Sequence, residues 1–538
     1  MCGIFFIDGK FDTSAITEFY KIAHRGPDSS IIKVVNDRYL FGFHRLQVNG
    51  LDEESNQPFN IDGIYLICNG EIYNYKELVE TYNIQMTTNS DCEVIIHLYK
   101  LFGMKKTLTM LHGVFALVLY DSTQETIKQG NYYIARDRIG IRSLYYVRGN
   151  DYNEGDNVET TIYTASEMKA LNTYGKCYQF RPGDYYDSST DQFKQFYDFE
   201  YKPTISLENT EISVIHKTIQ EKLIKAVEMR LMSDRPIGCI LSGGLDSTLV
   251  TAIVCKYYEP YTMNTFTIGL EGSVDLKYAK IAADYLKTNH HEFVITESEF
   301  LASIDETIKQ IESYCTTSVR ASVGNYLISQ LISKKVEDKI IFCGDVADEI
   351  LGSYRGFMSA PSKDAFLKEN IKMIENINYF DVLRSDKSIS SAGLEARVPF
   401  GDLDFVRYIM SLDPSLKMFD DNVIEKDILR KSFEGYLPHE LLYRRKEAFS
   451  DGVSSCERSW HTIIQEYVDR IYTDEDYEKK IAKYTHNKPY DKESLYYREI
   501  FDKYYPNQAH TIPYYWKQPF SKNLDPSARM LDTYKNED

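Results

Sequence analysis

Pro236-Ile-Gly-Cys-Ile-Leu-Ser-Gly-Gly-Leu-Asp-Ser247 runs from an apolar strand candidate, Pro236 to Leu241, through paired glycines into a helical pattern over Asp246 to Tyr258. A strand that opens through glycines onto a helix start is suited to hold phosphate. Gly243 and Gly244 let the backbone approach closely, and the helix N-terminus offers free N–H groups at its positive end. Ser242 and Ser247 add hydroxyl donors. A bare Ser-Gly-Gly is an ordinary turn; the whole hexapeptide between strand and helix specifies more. No Lys follows the glycines as in a Walker A loop, which argues against simple γ-phosphate transfer.

Outward from this loop the rhythm is strand and helix in alternation. Thr265 to Leu270 predicts a second strand, and Leu276, Ala279, Ala283 and Leu286 mark one helical face. Phe293 to Ile295 and Lys339 to Phe342 resume the sheet. Such alternation predicts a doubly wound parallel sheet, an α/β domain whose ligands bind in the loops after Leu241, Ile268 and Phe342. The part before about residue 200 differs. Short alternating apolar segments (CGIFFID, RYLFGFHRLQV, IYLICNG, GVFALVLYD, NYYIARDRIG, IYTASE) predict a β-rich layer, with helices around Thr13 to Ile22, Lys76 to Tyr82 and Asp91 to Leu101. An α+β sandwich is the packing expected. The segments Gly149 to Glu159 and Asp187 to Asn209 carry no pattern, and the domain boundary falls in the second, giving domains 2–200 and 210–538.

Two domains fit 538 residues. A net charge of −18 argues against nucleic-acid binding through a basic surface. No apolar run reaches the roughly 20 residues of a membrane span, and the MCGIFFIDGK start lacks the features of a signal peptide, so a cytoplasmic protein off the membrane is expected. Nine cysteines without a CxxC pair suggest neither a disulfide framework nor a zinc site. His290 and His291 are adjacent on a strand and point to opposite faces, which disfavours a shared metal.

Cys2 directly follows the initiator Met. Removal of Met1 would place a thiol beside its own α-amino group, whose ordinary pKa of about 7.7 to 8.0 suits a base for that thiol. A cysteine alone there is more often a small buried hydrophobe. It is not alone: His24-Arg-Gly-Pro-Asp28, Phe43-His-Arg-Leu46, Cys68-Asn-Gly-Glu-Ile-Tyr-Asn74 and Ser90-Asp-Cys-Glu93 follow. In order and spacing these segments resemble the class II, N-terminal-nucleophile glutamine amidotransferases, specifically the asparagine synthetase branch. That resemblance implies an αββα sandwich with Cys2 as nucleophile and with Asn69 and the Gly70 N–H as oxyanion hole. It implies that Arg45 holds the glutamine carboxylate, that Glu71 and Asp91 take the ammonium, and that Leu46, Gln47, Val48 and Asn49 line the glutamine. One departure stands out: the family reads small or apolar residues and then Asp after Arg45-Leu46, where this chain has Gln47-Val48-Asn49-Gly50.

The second half resembles the same family's ATP-pyrophosphatase domain through Ser242-Gly-Gly-Leu-Asp-Ser247, Phe266-Thr-Ile-Gly-Leu270, Leu394-Glu-Ala-Arg-Val-Pro-Phe400, Arg445-Lys-Glu447, Phe449-Ser-Asp-Gly452 and Asp525-Pro-Ser-Ala-Arg529. By that resemblance Ser242, Gly243, Gly244 and Ser247 bind pyrophosphate; Ile240, Leu241 and Ile268 frame adenine and ribose; and Cys343 and Gly344 line the nucleotide. Lys446 meets phosphates, and Asp246 and Asp348 hold Mg²⁺. The implied reaction is ATP-dependent synthesis of asparagine from aspartate and glutamine through a thioester on Cys2 and β-aspartyl-AMP. A homodimer and an enclosed ammonia route are implied by resemblance alone. Cys343-Gly-Asp-Val-Ala-Asp-Glu349 stands where relatives read close to SGEGSDE, so catalytic Asp345 is one methylene shorter than the family's Glu and Val346 replaces a Gly. A working but slow synthetase is the expectation. Two alternatives stay open: a related amidotransferase-synthetase with another acyl substrate, and a nucleotide-binding descendant with weakened catalysis.

Overall fold

The computed structural model describes residues 1–123, 131–150, 160–197, 200–446, 452–455 and 458–531. The motif residues Glu447 and Phe449 to Asp451 lie outside them. The chain forms two compact units. The first comprises Met1–Phe199 together with Met232–Pro236 and Ser390–Glu395; the second comprises the remainder. Two short pieces from beyond residue 210 thus belong to the first unit, which a linear boundary does not convey.

In the first unit two six-stranded sheets carry the fold. One runs in the order Tyr178–Gln179, Tyr145–Asn150, Thr160–Ala165, Gly3–Asp8, Tyr39–Arg45, Ser29–Val35. The other runs Gln192–Gln195, Asp184–Asp187, Asn131–Arg136, Gly113–Asp121, Ile64–Ile72, Phe59–Ile61. Alternation sets the layers. Ile4, Phe6, Phe41 and Phe43 of the first sheet pack with Ile67, Ala116, Val118 and Ile134 of the second. The opposite side chains of the second sheet, Leu66, Cys68, Leu117 and Leu119, pack with Ile95, Leu98 and Leu108 of the Val94–Met110 helix. On the outer side of the first sheet Phe19, from the Ser14–Tyr20 helix, stacks on His44 at 3.7 Å between ring centroids. The result is the αββα sandwich. The strand Gln192–Gln195 lies inside the segment read as patternless; its sequence QFKQ buries little, so alternation gave no signal.

The second unit is built on a five-stranded sheet in the order Asn289–Ile295, Asn264–Leu270, Ile237–Ile240, Ile340–Phe342, Glu395–Arg397. The first four strands pair in parallel, as the alternation with helices requires. The Asn289–Ile295 strand begins four residues earlier than its apolar end suggests, because its Asn-His-His-Glu start lies at the sheet edge and is half-exposed or exposed. His290 Nδ1 meets Thr265 Oγ1 at 2.9 Å, whereas His291 Nε2 meets Asn264 Oδ1 at 3.2 Å. Among the described residues no helix is long and apolar enough to cross a membrane.

Candidate active sites

Cys2 opens the Gly3–Asp8 strand, with its Sγ 3.7 Å from the Leu46 carbonyl oxygen and its own carbonyl accepting a 2.9 Å bond from Arg25 Nε. Burial pushes its thiol up to about 11, against the nearby amino terminus. Burial also lowers the Met1 amine, which stands 3.7 Å from Glu395 Oε2. Burial favours the neutral form of an amine, whereas Glu395 opposes it.

The Ile64–Ile72 strand brings Asn69 and Gly70 into the same unit. Asn69 is fully buried, and neither its Oδ1 nor its Nδ2 has a hydrogen-bond partner. A buried amide without a partner is costly, and persists where a ligand is meant to take its hydrogen bonds. A Cβ on Gly70 would lie 2.1 Å from the Val114 carbonyl oxygen, so only glycine fits. Arg45 is 3% exposed and fixed by the loop after it. It donates to Gly50 O, to Asp52 O at 2.8 Å and to Asn56 Oδ1 at 2.9 Å, which uses part of its fork. Glu71 and Asp91 converge on the Asn49 amide, and Asp91 Oδ2 also accepts from Ile72 N at 2.6 Å. Burial raises Asp91 to about 6. Leu46 and Val48 are buried, and the Gln47 N–H donates to Asp28 Oδ2 at 2.8 Å. In that departing loop the Gly50 N–H donates to Asp234 Oδ2 at 2.8 Å, and the Asp234 N–H returns a bond to Val48 O at 2.9 Å. Sequence reading missed Asp234 and Glu395, whose distance along the chain hid their place in this unit. It also missed Glu167, buried beneath the site and bonded to Arg25 at 2.7 Å and Lys169 at 2.6 Å.

In the second unit one cleft gathers Ile240, Ser242, Gly244, Asp246, Ser247, Cys343, Gly344, Asp345, Asp348 and Lys446. Leu241, Gly243 and Ile268 do not line it. Leu241 and Ile268 are buried, and Gly243, at φ +70°, passes so close to the Tyr278–Ala279 backbone that a Cβ would lie 2.3 Å from it. The turn holds itself: Ser242 Oγ lies 3.0 Å from Ser247 Oγ, and Thr248 Oγ1 donates to Gly244 O at 2.7 Å. Arg444 secures it from outside, donating to Ser242 O at 3.0 Å and to Asp275 at 2.8 Å.

Asp246 and Asp348 converge on one cation, the Lys426 ammonium, which is 2.6 Å from Asp348 and bonded to Asp246. Lys446 Nζ lies 2.5 Å from Asp348 and 4.1 Å from the Tyr354 ring centroid. Burial raises Asp246; for Asp348 the two lysines outweigh burial and hold it well below the usual carboxylate range. Asp246 Oδ1 is buried without a hydrogen-bond partner. Two carboxylates aimed at one point, one with an unused oxygen, are a donor set that fits a hard divalent cation beside phosphate. On the far side of the cleft Arg384 donates to Asp345 Oδ1 at 2.8 Å and to Asp381 Oδ1 at 3.3 Å, and Ser385 Oγ donates to Asp345 Oδ2. Sequence reading passed over Lys426, Arg384 and Tyr354. The Arg444-Arg445-Lys446 run was the one local signal for the cationic wall.

Val346 is the sharpest backbone departure. It takes φ +81°, ψ −20°, and its side chain is 1% exposed. A β-branched residue there is strained by about 1–3 kcal/mol, while replacing it with Gly forfeits a buried Val worth about 1.5–3 kcal/mol and adds chain entropy. The two nearly cancel, so the consequence of Val346 falls on loop geometry and not on stability. The Asp345→Glu/Val346→Gly double variant is expected to release pyrophosphate faster than the parent in the presence of aspartate and saturating ammonia. A carboxylate misplaced by about 1 Å can cost about 100-fold. An equal or lower rate would mean that Arg384 and Ser385 have adapted the site to Asp345.

A glutamine amidotransferase domain family matches residues 1–210, and the asparagine synthase family matches residues 218–372 and 360–531. A probable glutamine-hydrolysing asparagine synthetase of Acanthamoeba polyphaga mimivirus is 38% identical over 99% of this chain and 100% of its own length. The glutamine-hydrolysing asparagine synthetases of Gallus gallus and Homo sapiens are 37% and 36% identical, each over 100% of this chain and 99% of their own.

Proposed function

We propose roles for the residues of both sites from one premise: the chain belongs to the glutamine-hydrolysing asparagine synthetase family, and glutamine-dependent asparagine synthesis is its activity. In the first site the Cys2 thiolate attacks the glutamine amide carbon after its proton passes to the amino group freed by loss of Met1. Asn69 Nδ2 and the Gly70 N–H donate to the developing oxyanion, interactions of about 2.7–4 kcal/mol each in comparable holes. Collapse expels ammonia and leaves a thioester, which water cleaves to glutamate. Arg45 takes the substrate carboxylate and Glu71 with Asp91 its ammonium; Leu46, Gln47, Val48 and Asn49 flank it.

In the second site the aspartate β-carboxylate attacks the α-phosphorus of ATP and pyrophosphate leaves. Ammonia then attacks the acyl-adenylate, loses a proton and expels AMP. Ser242, Gly244 and Ser247 cradle phosphates on the turn that Gly243 makes, and Lys446 and Lys426 balance their charge. Ile240, Cys343 and Gly344 serve the nucleoside, with Leu241 and Ile268 buried behind them. Asp246 and Asp348 would hold Mg²⁺, which supplies charge neutralisation for the departing pyrophosphate. The observation that carries this assignment is the convergence of those two carboxylates beside the phosphate loop.

For aspartate itself the cleft offers Arg384, whose Nε and Nη2 edge is held by Asp345 and Asp381. A guanidinium fixed on one edge presents its remaining N–H groups to a substrate carboxylate. Arg384→Lys is therefore expected to raise half-saturating aspartate about tenfold or more, since a charge-assisted hydrogen bond contributes about 1.5–3 kcal/mol. Half-saturating ATP should stay unchanged. A variant altered for ATP and not for aspartate would place the amino-acid subsite elsewhere.

A further inference from the structure

Lys417 follows the Pro414–Leu416 turn in the second unit and is 3% exposed. Its Nζ donates to Asn370 Oδ1 at 2.6 Å and to Ile350 O at 3.3 Å, and lies 3.5 Å from Met410 Sδ and 6.0 Å from the Phe366 ring centroid. Among the described residues no carboxylate pairs with it. The charged residues on the elements around it are engaged elsewhere. Asp348 pairs with Lys426 and Lys446, and Glu349 accepts from Tyr354. Glu369 pairs with Lys372, Asp413 with Lys363, and Asp404 with Arg407. Burial alone pulls Lys417 down to about 7.

An ammonium buried without a counterion is costly unless its acceptors need it. Here they do. Ile350 O belongs to the Ala347–Leu351 helix, and Asn370, which accepts from Lys417, donates through Nδ2 to Glu349 O of the same helix. Five residues leave most of a helix's carbonyls without partners inside it, and a cation at that end opposes the helix dipole favourably. The first turn of this helix carries Asp348 and Glu349.

We propose that Lys417 is a positioning residue for the synthetase reaction: by closing the carbonyl end of the Ala347–Leu351 helix it sets where Asp348 stands in the cleft. The proposal rests on the role assigned above to Asp348. The protonated amine satisfies the carbonyl end in full, so the contribution is complete below about pH 7 and fades as pH rises through that value. Asn370→Asp, which sets a carboxylate against Nζ, should hold the proton to higher pH.

The test is aspartate-dependent pyrophosphate release in a single turnover without ammonia, so that ammonia's own titration does not enter. In the full-length chain Lys417→Met should slow it about tenfold and remove the falling limb of the pH profile. Asn370→Asp should move that limb upward, and glutamate release from glutamine should be unchanged in both. A Lys417→Met rate close to the parent's, or a limb at the same pH in all three proteins, overturns the proposal. If Lys417→Met fails to fold, as loss of the parent's ATP binding would reveal, the limb in Asn370→Asp decides. Asp348→Asn run alongside separates the two levels. A fast Asp348→Asn enzyme removes the site assignment and this proposal with it, whereas a slow one beside an unaffected Lys417→Met removes the positioning proposal alone.

Discussion

Cys2→Ala is expected to abolish glutamine-dependent asparagine formation while leaving ammonia-dependent formation at the parent rate. The Cys2 thiol is the nucleophile proposed for the first site, and nothing in the acyl-adenylate chemistry requires it. Removing a nucleophile outright costs on the order of 10⁴ to 10⁶-fold in enzymes that form an acyl intermediate. The substitution is also structurally mild. Cys2 is half-buried at the start of a strand whose pairing continues through the backbone from Gly3 to Asp8, and Arg25 bonds its carbonyl and not its sulfur. Glutamate release and pyrophosphate release, followed separately in one preparation, make the check. Loss of both activities together would contradict two chemically separable sites. Retention of glutamate release would take the nucleophile away from Cys2.

The sequence was legible where the residues of a motif are local. Ser242 to Ser247 is a single turn whose glycines, hydroxyls and following helix start all lie within six residues, and Asn69 and Gly70, the proposed oxyanion donors, are neighbours on the Ile64–Ile72 strand. Alternation likewise declared the sandwich, because its central strands are buried. Legibility failed where the fold joins distant pieces. Lys426 reaches Asp246 across 180 residues, Arg384 reaches Asp345 across 39, and Asp234 joins Gly50 across 184. No periodicity marks such residues, since each is one charge in an otherwise ordinary helix or loop. The polar edge strand Asn289–Ile295 and the short Gln192–Gln195 strand failed for a different reason: a strand with little to bury leaves no hydrophobic trace. Val346 is the intermediate case. That it stands where relatives have a Gly came from a resemblance, and its backbone adopts φ +81°, a conformation strained for valine and not for glycine.

Asp246→Asn is expected to eliminate aspartate-dependent pyrophosphate release while glutamate release from glutamine continues. The argument begins with charge. Asp246 opens the Leu245–Cys255 helix beside the phosphate loop, and its carboxylate shares the Lys426 ammonium with Asp348. An amide is nearly the same size, so packing and the helix start should survive. What is lost is the negative charge that balances Lys426 and would help hold a divalent cation against phosphate. Removing one preorganised charge-stabilising group typically costs on the order of 100 to 1000-fold, and here Lys426 loses one of its two carboxylate partners. The measurement is pyrophosphate release across a magnesium titration with ATP and aspartate saturating. A variant restored to the parent rate by high magnesium would show that Asp246 contributes affinity alone. A variant that stays slow at every magnesium concentration would show that the carboxylate also shapes the departure of pyrophosphate. A variant as fast as the parent throughout would remove Asp246 from the site.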